Sequence, residues 1–225
     1  MYLHTPAKRF PAAMLALALA LAGLTAAAPA PNPAPSAEAI MRHIDSRNAS
    51  LSSFQTRVHV NLRMLSFPWF FSNLDGTEYY KRPDKHGVVF DHAPPYAKGI
   101  NALFGAVDAP SEWRKDSNVT YIGEQNVGGK AMLALRMTKK IYSDQTKETL
   151  AYVDPQTYQV ARMDFVYTNG DSIVMTQTFK QEGPYTVVAA RHLEIKRHVR
   201  AVADATYASY QTNIAISDSV FKQQK

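Results

Sequence analysis

The sequence predicts a mainly β, α+β domain: one large curved antiparallel sheet whose apolar concave face is covered by inserted helices. Three observations predict it. From Phe54 to Leu65 the chain alternates, with Val58, Val60, Leu62 and Met64 facing one way and Arg57, His59, Asn61 and Arg63 the other, the period of a half-buried strand. From Tyr152 to Phe179 it reads as a strand–turn–strand–turn–strand meander with one apolar side. Roughly nine to eleven strands follow from the whole chain, joined mostly by short turns, which favours an antiparallel sheet over βαβ units.

The meander is fixed by its turns. Asp154-Pro155 opens one, because proline presets φ and donates no ladder hydrogen bond. Asn169-Gly170 opens the next, both residue types tolerating positive φ. Between them Ala161, Met163, Phe165 and Tyr167 share a face, Arg162 and Asp164 take the other, and Val166 breaks the alternation. Ile173, Met175 and Phe179 continue the apolar face after the second turn.

Residues 1–27 read as a secretory signal peptide. Lys8 and Arg9 precede an apolar run from Ala12 to Leu24, interrupted only by Gly23, and small residues follow up to an expected cleavage after Ala27. The run is short for a membrane span, which needs about 20 apolar residues. Residues 28–36 are a Pro/Ala-rich flexible leader. Residues 37–225 form the expected single domain.

That domain opens with a helix over 37–47. Ser36 suits its N-cap and Glu38 its first turn, and Ile40, Met41 and Ile44 share a face. Residues 66–73 then place Phe67, Trp69, Phe70 and Phe71 around Pro68. Two readings stand for this segment: a loop tucked into the core, or the mouth of an apolar cavity or a surface touching a membrane or partner. Asp75-Gly76 reads as a turn, followed by strands over 77–81 and 87–91. Ile100, Leu103, Phe104 and Val107 recur at helical spacing between prolines, a short amphipathic helix and candidate lid. Strands over 119–123 and 131–138 flank a Gly128-Gly129 turn, and 148–153 leads into the meander. A strand over 185–200 puts Leu193, Ile195 and Val199 on one face. Arg197 shares that face, either at the rim with its charge in water or meeting a lipid phosphate or carboxylate at a cavity mouth. A turn at Ala203-Asp204 and a last strand over 206–216 complete the sheet.

Composition narrows the function classes. The chain has 25 Lys+Arg against 19 Asp+Glu; removing Lys8 and Arg9, with no acid before Glu38, leaves 23 against 19, a net +4. That mild excess suits anionic lipid surfaces and carries no nucleic-acid motif. With no cysteine there is no disulfide and no cysteine-linked lipid anchor. No Gly-x-Ser-x-Gly elbow, His-Glu-x-x-His pair or phosphate-binding glycine loop is present. His86, Asp91 and His92 read as scattered surface groups on a hairpin rather than metal ligands.

Several segments, taken in order, resemble the LolA/LolB-like superfamily of outer-membrane lipoprotein-sorting and lipid-carrier proteins. They are the N-terminal helix with Leu51-Ser52-Ser53-Phe54, the stretch from Gly76 to Lys85 with its Arg82-Pro83, Val153-Asp154-Pro155 with Arg162-Met163, the Asn169-Gly170 hairpin, and Tyr207 to Ile214 before Ser217 to Phe221. The resemblance implies an unclosed β-barrel with helices plugging its concave side, a cavity for acyl chains, no cofactor and no reaction. It also implies an arginine on the early strands that holds the lid; Arg57 and Arg63 lie in that neighbourhood. The missing cysteine points to the soluble carrier type rather than the anchored acceptor. The expected function is therefore a monomeric periplasmic carrier of lipid or lipoprotein acyl chains, delivering toward the outer membrane between membrane-bound donor and acceptor proteins. Val58, Val60, Leu62, Met64, Met163, Phe165, Ile173, Met175, Leu193 and Ile195 are the expected cavity wall. Phe67, Trp69, Phe70, Phe71, Ile100, Leu103, Phe104 and Arg197 are the expected lid and mouth. The alternative, from another class, is a periplasmic sensor or interaction module that uses this fold to bind a partner protein.

Overall fold

A computed structural model describes residues 34–83, 85–92, 110–141 and 145–222. Helix α1 spans Ala37–Ser46, and the Ser36 hydroxyl caps it by accepting the Ala39 N–H at 3.1 Å. Its apolar stripe, Ile40, Met41 and Ile44, is buried. The strands are β1 Ser53–Met64, β2 Phe71–Lys81, β3 Lys85–Phe90, β4 Ser117–Val127, β5 Lys130–Lys139, β6 Thr146–Val153, β7 Val160–Tyr167, β8 Ser172–Glu182, β9 Tyr185–Lys196 and β10 Arg200–Thr212. Helix α2 covers Pro110–Asp116 and α3 covers Ser219–Lys222.

All ten strands form one sheet, ordered β3-β2-β1-β10-β9-β8-β7-β6-β5-β4. Every neighbouring pair is antiparallel. Sequence neighbours pair throughout, and β1 with β10 joins the two ends of the chain. The exceptions are β3 and β4, which remain as the two edges. The sheet is thus an up-and-down barrel left open at one seam, where the chain departs between β3 and β4. One face carries the core: Val60 of β1 lies opposite Leu74 and Ala205, and Met175 of β8 lies opposite Met163 and Leu193.

The structure corrects three sequence expectations. Asp75-Gly76 is not a turn; both lie inside β2. A Cβ on Gly76 would sit 2.7 Å from the Val89 carbonyl oxygen and 2.9 Å from the Phe90 ring. Glycine is there for close approach within the sheet, not for positive φ. The turn expected at Ala203-Asp204 instead occupies residues 197–199, where the Arg197 N–H donates to the Val199 carbonyl at 3.0 Å. This places Ala201, Ala203 and Ala205 on the buried face opposite Ile195, Leu193 and Arg191. Alanine carries little hydrophobic signal, so the pattern concealed the strand start. Helix α2 was not expected, and it buries Trp113.

Candidate functional site

A cavity of about 350 Å³ opens beneath α1, at the end of the sheet where β1 begins. Its walls combine Ile44, Leu51, Phe54, Tyr80, Phe179, Val188 and Tyr210 with the ionisable Asp45, Arg47, Glu78, Arg82, His86 and Arg191. Mostly apolar walls with a few placed polar groups are the usual make-up of a small-molecule site, and the volume lies within the common range of roughly 300–1,000 Å³.

Strand register builds the charged end. Thr56, Glu78 and Val88 are cross-strand neighbours, as are Tyr80 and His86, so β2 and β3 present Glu78 and His86 on the inner face together. Arg191 reaches them from β9. Glu78 Oε1 lies 2.9 Å from His86 Nε2, and Glu78 Oε2 lies 3.6 Å from Arg191 Nη1. Arg191 Nε donates to Gln177 Oε1 at 3.1 Å, and Gln177 Nε2 donates to the Val160 carbonyl at 2.6 Å. The Arg191 guanidinium also lies 5.5 Å from the Tyr207 ring centroid. Burial alone would push the Glu78 carboxyl up; Arg191 and then His86 outweigh it and hold it below the ordinary carboxylate value. Burial pushes the Tyr207 phenol well above its ordinary value.

The mouth is pinned by polar contacts. Arg82 donates through Nε to the Leu51 carbonyl at 2.7 Å and through Nη2 to the Asn48 carbonyl at 2.8 Å. Asn48 Nδ2 donates to the Thr186 carbonyl at 2.8 Å, tying the α1–β1 connection to β9. Arg47 donates to the Tyr158 carbonyl at 3.2 Å, and its guanidinium lies 5.4 Å from the Phe179 ring centroid. The arrangement suits an amphiphile, with an apolar body against Phe54, Tyr80, Val188 and Tyr210 and a polar end near Arg47, Arg82 or Arg191. Among the described residues no group of three His, Asp or Glu is placed to hold a metal ion.

Of the expected wall residues, Val58, Val60, Leu62, Met163, Ile173, Met175 and Leu193 are buried together on the concave face; Met64, Phe165 and Ile195 are partly buried and pack against them. None of these ten borders the cavity. Phe67, Trp69, Phe70 and Phe71 form the tip of the β1–β2 hairpin and are exposed. Ten residues of β1 separate Phe54 from that tip, roughly 33 Å of extended strand. Arg197 sits in the β9–β10 turn, 4.3 Å from the Tyr167 ring centroid, with its Nε 3.7 Å from Asp171. Arg57 and Arg63 lie on the outer face, Arg57 bonded to both carboxylate oxygens of Asp91 and Arg63 3.8 Å from Asp204. Ile100, Leu103 and Phe104 lie outside the described residues.

Glu78 and Arg191 were not expected here, and His86, read from the sequence as a surface group, is instead largely buried against Glu78 in the cavity wall. Arg191 shares its strand parity with Leu193 and Ile195, so the rule that singled out Arg197 applies equally to it. Glu78 shares parity with Tyr80 and the glycine at 76, a weak apolar stripe that hid the acid's inward direction.

No protein-family model matches the chain, and no curated protein matches it. Solved structures do. A DUF1329 family protein from Desulfovibrio piger aligns over 81% of this chain and 94% of its own, with TM-score 0.64 and 12% identity. An outer membrane lipoprotein-sorting protein domain, so named, from Vibrio parahaemolyticus aligns over 82% and 95%, with TM-score 0.63 and 10% identity. A LolA superfamily protein from Nitrosomonas europaea aligns over 84% and 98%, with TM-score 0.57 and 12% identity. The fold is LolA-like.

Proposed function

We propose that this LolA-like chain is an extracytoplasmic, periplasmic carrier that binds acyl chains of lipids or lipoproteins and delivers them toward the outer membrane. The observation that carries the reading is the cavity between α1 and the concave face of an unclosed sheet, with mostly apolar walls and Arg47 and Arg82 among its polar lining. Burying an acyl chain contributes about 0.8 kcal/mol per methylene, so affinity needs no covalent chemistry and the protein acts without catalysis. The first methylenes occupy the space beside Phe54, Tyr80, Val188 and Tyr210. In the loaded form the chain extends onto the concave face over Val58, Val60, Leu62, Met163, Met175 and Leu193, displacing what covers them. Methionine suits such a wall, being unbranched and able to repack. The carboxylate or phosphate of the cargo pairs with Arg47 or Arg82.

Residues 1–27 act as the export signal and 28–36 as a leader to the domain in this reading. No helix among the described residues is long and apolar enough to cross a membrane. The test is titration with an environment-sensitive fluorescent fatty acid. Val188→Trp, which fills the cavity, is expected to weaken binding at least about tenfold without lowering the unfolding midpoint. Undiminished probe binding by that folded variant would place the cargo elsewhere.

A further inference from the structure

Five of the six exposed large hydrophobic residues among the described residues fall within one short segment: Leu65, Phe67, Trp69, Phe70 and Phe71. Trp69 is 79% exposed and Phe71 70%. Single exposed apolar residues are ordinary, but five on one hairpin tip concentrate apolar surface in water at a cost. The tip is not loose. The Phe70 N–H donates to the Phe67 carbonyl at 2.8 Å and the Met64 N–H to the Phe70 carbonyl at 3.2 Å. The neighbouring β9–β10 turn braces it, since Leu65 N–H donates to the Arg200 carbonyl at 2.7 Å and Arg200 N–H donates to Ser66 Oγ at 2.8 Å.

That bracing turn is basic. Lys196 and Arg200 are direct cross-strand partners, two like charges facing one another, an arrangement that repels. Arg63 stands beside Phe71 on the same hairpin. An anionic surface removes the repulsion and draws the cations to its plane, while tryptophan and phenylalanine favour the boundary between headgroups and acyl chains.

We propose that the β1–β2 tip is a membrane-docking element: Trp69, Phe71 and Phe67 insert into the interface of an anionic bilayer, and Lys196 and Arg200 contact its headgroups. This contact does not depend on the cargo cavity, which lies at the other end of β1.

The test uses the mature protein with phosphatidylglycerol/phosphatidylcholine vesicles and with phosphatidylcholine alone. Trp113 is buried, so a change in tryptophan emission on vesicle addition reports Trp69. The expected result is co-sedimentation with the anionic vesicles, a blue shift, and quenching by brominated acyl chains. The double variant Trp69→Ser with Phe71→Ser loses about tenfold or more in affinity. Lys196→Gln with Arg200→Gln weakens binding by roughly fivefold per charge and flattens its salt dependence. By co-sedimentation Val188→Trp keeps vesicle binding, separating docking from cargo loading. Emission unchanged by every vesicle, equal binding to neutral vesicles, or full binding by the Trp69/Phe71 variant would overturn the proposal, the first of these pointing to a protein partner for the tip.

Discussion

Arg191→Met leaves Glu78 as a buried carboxylate with His86 and the Tyr207 phenol beside it but no arginine. Both side chains are nearly inaccessible, at 3% for Arg191 and 2% for Glu78, and their charges lie 3.6 Å apart. At that separation an effective dielectric near 20 gives roughly 5 kcal/mol of attraction. Desolvation offsets much of it in the intact pair, but removing one partner exposes the full penalty, so the variant is expected to lose about 3–5 kcal/mol. In urea this lowers the unfolding midpoint by roughly 2 M at neutral pH. The pH dependence supplies a second signature. In the wild type the Glu78 carboxyl is held below 4.5, so its contribution is present above that value and fades as pH falls. In Arg191→Met burial is no longer outweighed and the carboxyl rises. The folded state then takes up the proton more readily than the unfolded chain, and stability recovers as pH falls through the raised value. The two unfolding curves should therefore converge on acidification. Arg191→Met combined with Glu78→Gln should regain most of the loss, because neither charge remains buried alone. A loss under about 1 kcal/mol, or a double variant less stable than Arg191→Met itself, would refute this account of the cavity's charged end.

Other perturbations test separate parts of the account. Gly76→Val forces a Cβ against the Val89 carbonyl and Phe90, and is expected to cost about 1–3 kcal/mol in thermal or urea unfolding, where a true turn glycine would show a backbone-strain effect of different origin. Asp218 is held at about 2 by hydrogen bonds from Lys81 and Lys85. Being depressed, it stabilises above the ordinary value of 3.8 and loses that effect as pH falls toward 2, so the midpoint difference between wild type and Asp218→Asn should be widest near neutrality and vanish near pH 2. Ser36→Ala removes the α1 cap and should cost about 1 kcal/mol by the same assay. Phe165→Glu, at a half-buried position on the concave face, should fold and lose bound lipid; a folded variant that keeps full lipid binding would remove the concave face from the cargo path.

The strands were legible where side-chain contrast was strong. Val58, Val60 and Leu62 against Arg57, His59 and Asn61 admit one register, and the Asn169-Gly170 turn left the β7–β8 pairing no alternative. Gly170 alone of that pair takes positive φ, at 83°. The pattern was illegible where contrast was weak. β10 hides its buried face behind Ala201, Ala203 and Ala205, and Gly76 looks like a turn because the carbonyl it accommodates belongs to another strand. The candidate site was the least legible part. Glu78 and His86 are eight residues apart while Arg191 lies more than a hundred residues on, and only the chain-end pairing of β1 with β10 brings β9 beside them. No local spacing encodes that meeting, because it depends on the pairing of the first strand with the last.

If the cavity beneath α1 holds acyl chains, the protein should carry them through export and purification. Native mass spectrometry of the mature protein, exported with its own leader and purified without detergent, tests it most directly when followed by solvent extraction and lipid identification. The expected result is a bound species that extracts as a lipid or acylated peptide and is depleted in Val188→Trp. A single apo mass, unchanged after incubation with lipids, would contradict it and assign the fold to partner binding instead.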